Sequence, residues 1–269
     1  GHSAEEDGDR CLDLLDQILT RYQGQIAGII VEPLVQGAGG MIIHPAGFLK
    51  GIEQLAQKYD VLLIVDEVMT GLGRTGQMWA CQREQVEPDI LCSAKGLTAG
   101  YLPLAATLTT EKIYTAFLGE YAELKTFFHG HSFTGNQLGA AVALANLELF
   151  DSPDFFPQLE NKIAHFQQRL QDFHTLDYVG NLRSIGLIGA FELMSDKRKK
   201  IEFPFEQKAG IRVCQSALKK GVMLRPLINT IVLMPPLSIT ISEIDLLIDR
   251  VLSAVDQTGR ELVAETQLL

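Results

Sequence analysis

Apolar positions along the chain recur with two periods. Residues 9–22 place Leu12, Leu15, Ile18 and Leu19 three or four apart, and residues 46–59 do the same with Phe48, Leu49, Ile52, Leu55 and Ala56. Side chains at that spacing share one face of a helix, so both segments predict amphipathic helices. Between and after them lie short unbroken apolar runs at 26–31, 61–66 and 89–93. Runs of that length predict strands buried on both faces. A further strand over 104–108 leads into a helix over 111–118. Strands alternating with helices predict an α/β fold with a parallel sheet and right-handed crossovers.

The pattern then changes. Residues 135–150 form an Ala/Leu-rich stretch of helical spacing, Asp151-Ser152-Pro153-Asp154 interrupts it, and 155–173 predicts a second helix. Shorter strands follow at 186–193, 222–225 and 230–234, with helices at 205–220 and 242–257. The chain is therefore expected to divide into residues 1–150, part of a large α/β domain, and 151–269, a smaller C-terminal α+β domain. It shows no internal repeat and no low-complexity segment.

Composition narrows the partners. Of 269 residues, 46% are hydrophobic and 21% charged, as in ordinary globular proteins. The formal charge of −10 argues against nucleic acid and against an anionic membrane surface. No stretch approaches the roughly 20 continuous apolar residues of a membrane span. The opening residues Gly1-His2-Ser3-Ala4-Glu5-Glu6-Asp7 are acidic and lack the apolar core of a signal peptide. Cys11, Cys81, Cys92 and Cys214 form no CxxC pair, so free thiols in a reducing cytoplasm are expected.

Candidate chemistry begins with Asp66, which ends the run Val61-Leu62-Leu63-Ile64-Val65-Asp66, and Lys95, which ends Pro88-Asp89-Ile90-Leu91-Cys92-Ser93-Ala94-Lys95. A lysine and a carboxylate delivered to one edge of a parallel sheet suit pyridoxal 5′-phosphate (PLP). The amine condenses with the cofactor aldehyde, and the carboxylate keeps the pyridine nitrogen protonated. Taken alone, an Asp at a strand end is more often a cap and a Lys after a strand a solvated surface group. Glu67 is adjacent to Asp66, and neighbours on a strand point to opposite faces, which argues against an acid/base pair there.

Gly71-Leu72-Gly73-Arg74-Thr75-Gly76 matches the G-x-G-x-x-G of dinucleotide sites, but the fit is poor. Residues 67–70 intervene after the strand, where that turn should be tight. The segment before Pro88 is short for a crossover helix. The next strand begins with Asp89 and ends near Lys95, where an acid is expected. A glycine turn that lets backbone pass close to a neighbouring group is the better reading. His129 and His131 lack a third ligand at metal spacing, so no metal is expected.

Three segments taken in order resemble the class III, fold type I, PLP-dependent aminotransferases. They are Ile30-Val31-Glu32-Pro33, then Asp66-Glu67-Val68-Met69-Thr70-Gly71-Leu72-Gly73-Arg74-Thr75-Gly76, then Pro88-Asp89-Ile90 through Lys95-Gly96-Leu97. Further segments point to one branch of the class, that of biotin synthesis. In Glu32-Pro33-Leu34-Val35-Gln36-Gly37-Ala38-Gly39-Gly40-Met41, one residue is extra relative to the ornithine-type E-P-V-Q-G-E-G-G, and Ala38 stands where those carry Glu. His129-Gly130-His131-Ser132-Phe133-Thr134-Gly135-Asn136, Leu224-Arg225-Pro226-Leu227 and Leu233-Met234-Pro235-Pro236 resemble the same branch.

The resemblance implies roles by position. Lys95 holds PLP and later moves the proton; Asp66 pairs with the pyridinium nitrogen; Val68 packs on one ring face. His131 and Ser132 approach the cofactor phosphate, where the class usually has Thr at the Ser132 position and often Pro or Ser at that of His131. Ser132 read by itself is equally a helix N-cap. Gly130 lines the substrate channel, and Arg225 grips a substrate carboxylate with its planar fork. The loop around Ser132 commonly serves the partner subunit's cofactor, so a homodimer is implied. The expected reaction converts 7-keto-8-aminopelargonate to 7,8-diaminopelargonate, with S-adenosylmethionine or lysine as amino donor. Members of the class are longer at the N-terminus, so the chain resembles their C-terminal portion: the later part of a mostly parallel PLP-transferase large-domain sheet plus the small domain. An N-terminal segment or second chain is then expected to complete the site. The rival readings are another ω-amine or diamine aminotransferase of the class, and a non-catalytic half that assembles with a partner chain.

Overall fold

The structure, a computed structural model, describes residues 4–266. Its contacts divide the chain into two compact units. The first takes in the chain up to Val35, His44–Gly73 and Gln77–Phe156; the second takes in Gln36–Ile43, Arg74–Gly76 and the chain from Pro157 onward.

The first unit opens with helix α1 (Ala4–Arg21) and strand β1 (Gly28–Val31). The chain then forms a short hairpin of β2 (Val35–Gln36) and β3 (Ile42–Ile43), of which residues 36–43 belong to the second unit, before returning to the first. Then come α2 (Phe48–Tyr59), β4 (Leu62–Asp66), β5 (Ile90–Ser93), β6 (Ala106–Thr109), α3 (Glu111–Thr115) and α4 (Gln137–Phe150). Among the described residues the sheet runs β1-β4-β5-β6. β1 and β4 pair in parallel, as do β4 and β5, while β6 lies antiparallel to β5. The α/β class and the mostly parallel sheet expected from the sequence are therefore present. The reversal at β6 departs from a uniformly parallel reading. Ser93 and Ala106 are joined by a 3-10 turn (Lys95–Thr98) and loop rather than by a crossover helix, so the chain doubles back.

Strand alternation sorts the side chains of this sheet. Leu63, Val65 and Leu91 face α2, whose Leu49, Ile52 and Ala56 close a buried cluster with Cys81 and Val86; Leu12 and Leu15 of α1 pack against it. α2 carries no cap of its own. Its first amides, Gly47 N and Lys50 N, donate to the Glu84 carboxylate at 3.0 Å each, satisfying donors that a helix start leaves open.

The second unit begins within α5 (Phe155–Leu170) and continues with β7 (Val179–Ile185), β8 (Ile188–Asp196), β9 (Ile201–Glu202), α6 (Ala209–Lys219), β10 (Pro226–Leu227), β11 (Thr230–Leu233) and α7 (Ile241–Thr266). Its sheet is antiparallel in the order β10-β11-β8-β7, with β9 on β8. Phe166, Phe173, Phe191, Leu193, Val213, Ile248 and Val251 are buried in this unit. The rings of Phe173 and Phe191 stack at 4.6 Å.

Several expected elements shift. The strand expected over 186–193 is β8, which starts two residues later at Ile188, and β7 before it, joined through a turn at Gly186, was not expected. The strand expected at 222–225 is irregular chain, and the pairing starts one residue later at Pro226. The last helix continues through Gly259 to Thr266, beyond the expected stop at 257. A Cβ on Gly259 would lie 2.2 Å from the Tyr178 ring, so glycine here makes room for the ring instead of ending the helix.

Candidate functional site

β4 and β5 run side by side in parallel, with Asp66 opposite Cys92 in the register. Asp66 is the last residue of β4, and Lys95 follows the end of β5 by two residues. Both therefore leave the carboxyl ends of neighbouring parallel strands, the edge where open α/β sheets bind ligands.

Asp66 is half-buried, and its Oδ1 accepts the Val68 amide at 3.0 Å. That local turn orients the carboxylate; among the described residues nothing occupies Oδ2. The thiol of Cys92, facing the same side as Asp66, is pushed up first by burial and then by the Asp66 charge. Lys95 is exposed, and no hydrogen bond or ion pair engages its Nζ among the described residues. Its backbone sits at φ 43°, the left-handed region that a Cβ disfavours. Such strain costs on the order of 1–2 kcal/mol and is retained where surrounding structure over-determines the residue, a common circumstance at functional positions.

The turn that carries Lys95 is held from outside. Asn146 on α4 donates through Nδ2 to the carbonyls of Gly96 at 2.9 Å and Leu97 at 3.2 Å. Leu97 packs with Leu72 and Ala143, and a Cβ on Gly96 would meet Leu72 at 3.2 Å. Nothing in the sequence signals the Asn146 contact, since α4 carries other polar residues, Gln137 and Glu148, with no such role.

After Asp66 the chain turns sharply. Glu67 is 1% exposed, and its carboxylate accepts the Thr70 hydroxyl at 2.6 Å and the Cys81 amide at 2.9 Å. Burial and the Glu67 carboxylate push the Cys81 thiol up to about 12, so it stays protonated and is no nucleophile at neutral pH. A Cβ on Gly71 would lie 2.8 Å from the Trp79 ring and 2.9 Å from the Glu67 carbonyl. The glycine motif thus lets backbone pass against Trp79, as its poor fit to a dinucleotide turn suggested. Val68 is half-buried beside Asp66.

Gly130, His131 and Ser132 lie in an exposed loop of the first unit. Its shape is internal: His131 N donates to Thr134 Oγ1 at 2.8 Å, and Phe133 N donates to His131 Nδ1 at 3.1 Å. The N-cap of α4 is Asn136, whose side chain accepts the Leu138 amide, so the capping alternative for Ser132 does not hold. Among the described residues no hydrogen bond joins this loop to Asp66 or Lys95. Arg225 belongs to the second unit, exposed in the segment before β10, and among the described residues it makes no ion pair.

On the face of the first sheet that carries Asp66, Ile64 and Ile90 are half-buried. Ile30 pairs with Ile64, and Ile64 with Ile90, on the Asp66 side; Ile30 is 68% exposed. Phe127, Phe128, Phe133, Leu138 and Leu144 are exposed in the same unit.

The sequence profile described as Aminotransferase class-III matches residues 2–255. Adenosylmethionine-8-amino-7-oxononanoate aminotransferase of Geobacter sulfurreducens is 54% identical over 242 residues, which cover 90% of this chain and 53% of that protein. The protein of the same name from Anoxybacillus flavithermus is 46% identical over 250 residues, 93% of this chain and 55% of that one. The crystal structure of the Methanocaldococcus jannaschii protein of that name superposes with a TM-score of 0.89 at 43% identity, covering 92% of this chain and 57% of that one. A PMP-bound aminotransferase from Vibrio fluvialis superposes with a TM-score of 0.89 at 30% identity, covering 97% and 57%. The chain spans about half the length of the curated relatives it matches. With its profile matched almost end to end and its fold shared, the chain belongs to the class-III aminotransferase family.

Proposed function

We propose that this chain carries the cofactor lysine of a PLP-dependent aminotransferase of biotin synthesis, which converts 7-keto-8-aminopelargonate to 7,8-diaminopelargonate. One observation supports this above the others: in a class-III chain, parallel neighbours β4 and β5 deliver Asp66 and Lys95 to one sheet edge, each with its functional atom free among the described residues. Such a pair fits the cofactor's aldehyde and ring nitrogen, and relatives with 43–54% identity carry the biotin-branch name.

Bound PLP supplies an electron sink for the amine carbon of the donor. Lys95 Nζ would anchor the cofactor aldehyde and, as a free amine, would move the proton at the donor's amine carbon. Asp66 Oδ2 holds the ring N–H, with Oδ1 already taken by Val68 N. Val68 bears on one ring face. The Ser132 hydroxyl, beside His131, donates to the cofactor phosphate of a partner subunit in a homodimer; Gly130 lines the channel; Arg225 binds the substrate carboxylate as a fork. On this reading residues 1–150 form part of the cofactor domain and 151–269 the small domain. The exposed Ile30 and the exposed aromatics at 127, 128 and 133 support a further polypeptide segment and a second subunit covering this surface. Free cysteines suit a cytoplasmic setting, and no described helix is long and apolar enough to cross a membrane.

The assembled enzyme should aminate 7-keto-8-aminopelargonate with S-adenosylmethionine or, in its place, lysine, as read by mass spectrometry of the product. Amination of simple aldehydes with no turnover of the biotin precursor would transfer the assignment to an ω-amine aminotransferase.

A further inference from the structure

We propose that Glu67 is a positioning residue for Asp66. This inference rests on the reading of Asp66 as the partner of the cofactor ring nitrogen. Asp66 and Val68 project from a tight turn that must hold one geometry for the carboxylate and the ring contact to meet the same cofactor. That turn is closed from beneath by the intervening side chain.

Glu67 points to the opposite face of the strand from Asp66, into the interior. There one oxygen, Oε2, accepts the Thr70 hydroxyl at 2.6 Å, and the other, Oε1, accepts the Cys81 amide at 2.9 Å. The backbone of the same residue is also fixed: its amide donates to Cys92 O at 2.9 Å, tying it to the strand that leads to Lys95, and its carbonyl accepts Gly71 N at 3.0 Å. A single residue thus joins the end of β4, the glycine turn, the segment at Cys81 and β5. Glu67 is 1% exposed, and its two carboxylate oxygens are both taken, one by the turn at Thr70 and the other by the segment at Cys81. The Val68 amide, presented by the same turn, orients Asp66 Oδ1. Loosening Glu67 therefore loosens the donor that aims the Asp66 carboxylate.

Two readouts test this. In cofactor-free protein, Glu67→Ala should speed hydrogen exchange at the Cys81 and Gly71 amides about 10- to 100-fold, as expected when a buried charged hydrogen bond is lost. Glu67→Gln should restore slow exchange, because its carbonyl oxygen can accept from Cys81 and the Thr70 hydroxyl can turn to accept from its amide. In PLP-loaded protein, Glu67→Ala should move the pH midpoint of the visible cofactor band toward that of Asp66→Asn, with Glu67→Gln close to the unaltered protein. If Glu67→Ala does not fold, Thr70→Val, which removes one donor only, should move both readouts the same way by a smaller amount. Unchanged exchange overturns the inference, and so does faster exchange with an unmoved midpoint, which would make Glu67 a purely structural lock. If the unaltered protein forms no PLP adduct on Lys95, the cofactor reading itself fails, and the positioning role falls with it whatever the exchange shows.

Discussion

Asp66→Asn should slow the donor half-reaction about 10²- to 10³-fold, equivalent to about 3–4 kcal/mol of barrier, while leaving the fold intact. The substitution is nearly isosteric. Asn Oδ1 can still accept the Val68 amide that now holds Asp66 at 3.0 Å, so the turn survives. What disappears is the negative charge facing the ring nitrogen. A carboxylate within contact distance raises the pKa of a cationic partner by about 1–3 units, and a neutral amide does not. The ring then spends most of its time unprotonated and withdraws electrons poorly. Single-turnover kinetics with PLP-loaded protein would show the loss, and a melting temperature within a degree or two of the unaltered protein would show that the fold is not the cause. A variant with unaltered kinetics would remove Asp66 from the chemistry.

Arg74→Leu should destabilise the second unit by about 3 kcal/mol. The Arg74 guanidinium donates through Nη1 to the carbonyls of Pro235 at 2.6 Å and Leu187 at 3.3 Å, while its own carbonyl accepts Leu187 N at 3.0 Å. Burial lowers its pKa to about 10, still far above neutral pH, so the side chain remains a cation there. Hydrogen bonds to a charged donor contribute about 1.5–3 kcal/mol each, and their loss leaves two carbonyls unsatisfied. Dehydration of the cation offsets part of this, which is why the expected net loss is well below the sum of two such bonds. Arg74→Lys should fall between, because an ammonium on a shorter, more flexible stem reproduces the two Nη1 bonds only in part. Urea unfolding followed by a probe in the second unit measures the effect. A loss under about 0.5 kcal/mol would mean that the backbone bond alone secures this segment.

Arg74 also shows where sequence reading stops. Its place in the glycine motif was visible, and so was the poor match of that motif to a dinucleotide turn. That residues 74–76 pack with the second unit depends on Leu187 and Pro235, more than a hundred positions away. Local patterns were legible where burial alone sets them. β1, β4 and β5 are continuous apolar runs, and α2 has a clean stripe. They failed where polar residues have specific partners. β7 was missed because Gly180, Asn181 and Arg183 break its alternation. In the structure the strand has an irregular register there, and Arg183 pairs with Glu192 at 3.0 Å and donates to the Met41 carbonyl at 2.8 Å. In the same way Gly259 imitates a helix stop because Tyr178 is far off in sequence.

The site divides along the same line. Asp66 and Lys95 could be read because one ends its strand and the other closely follows the end of the next, and parallel pairing brings strand ends together without further information. Glu67 was legible only as pointing away from Asp66; its work depends on Thr70 and Cys81. Asn146 was not legible at all, since nothing in the Ala/Leu-rich helix shows that it faces the turn after Lys95.

The anchoring of PLP by Lys95 can be tested directly. Purified protein should be mixed with PLP, reduced with borohydride, digested and examined by mass spectrometry. A pyridoxyl mass is expected on the peptide containing Lys95, absent from Lys95→Ala. A folded protein that yields no adduct, or one whose adduct sits on another lysine while Lys95 stays unmodified, would contradict that anchoring.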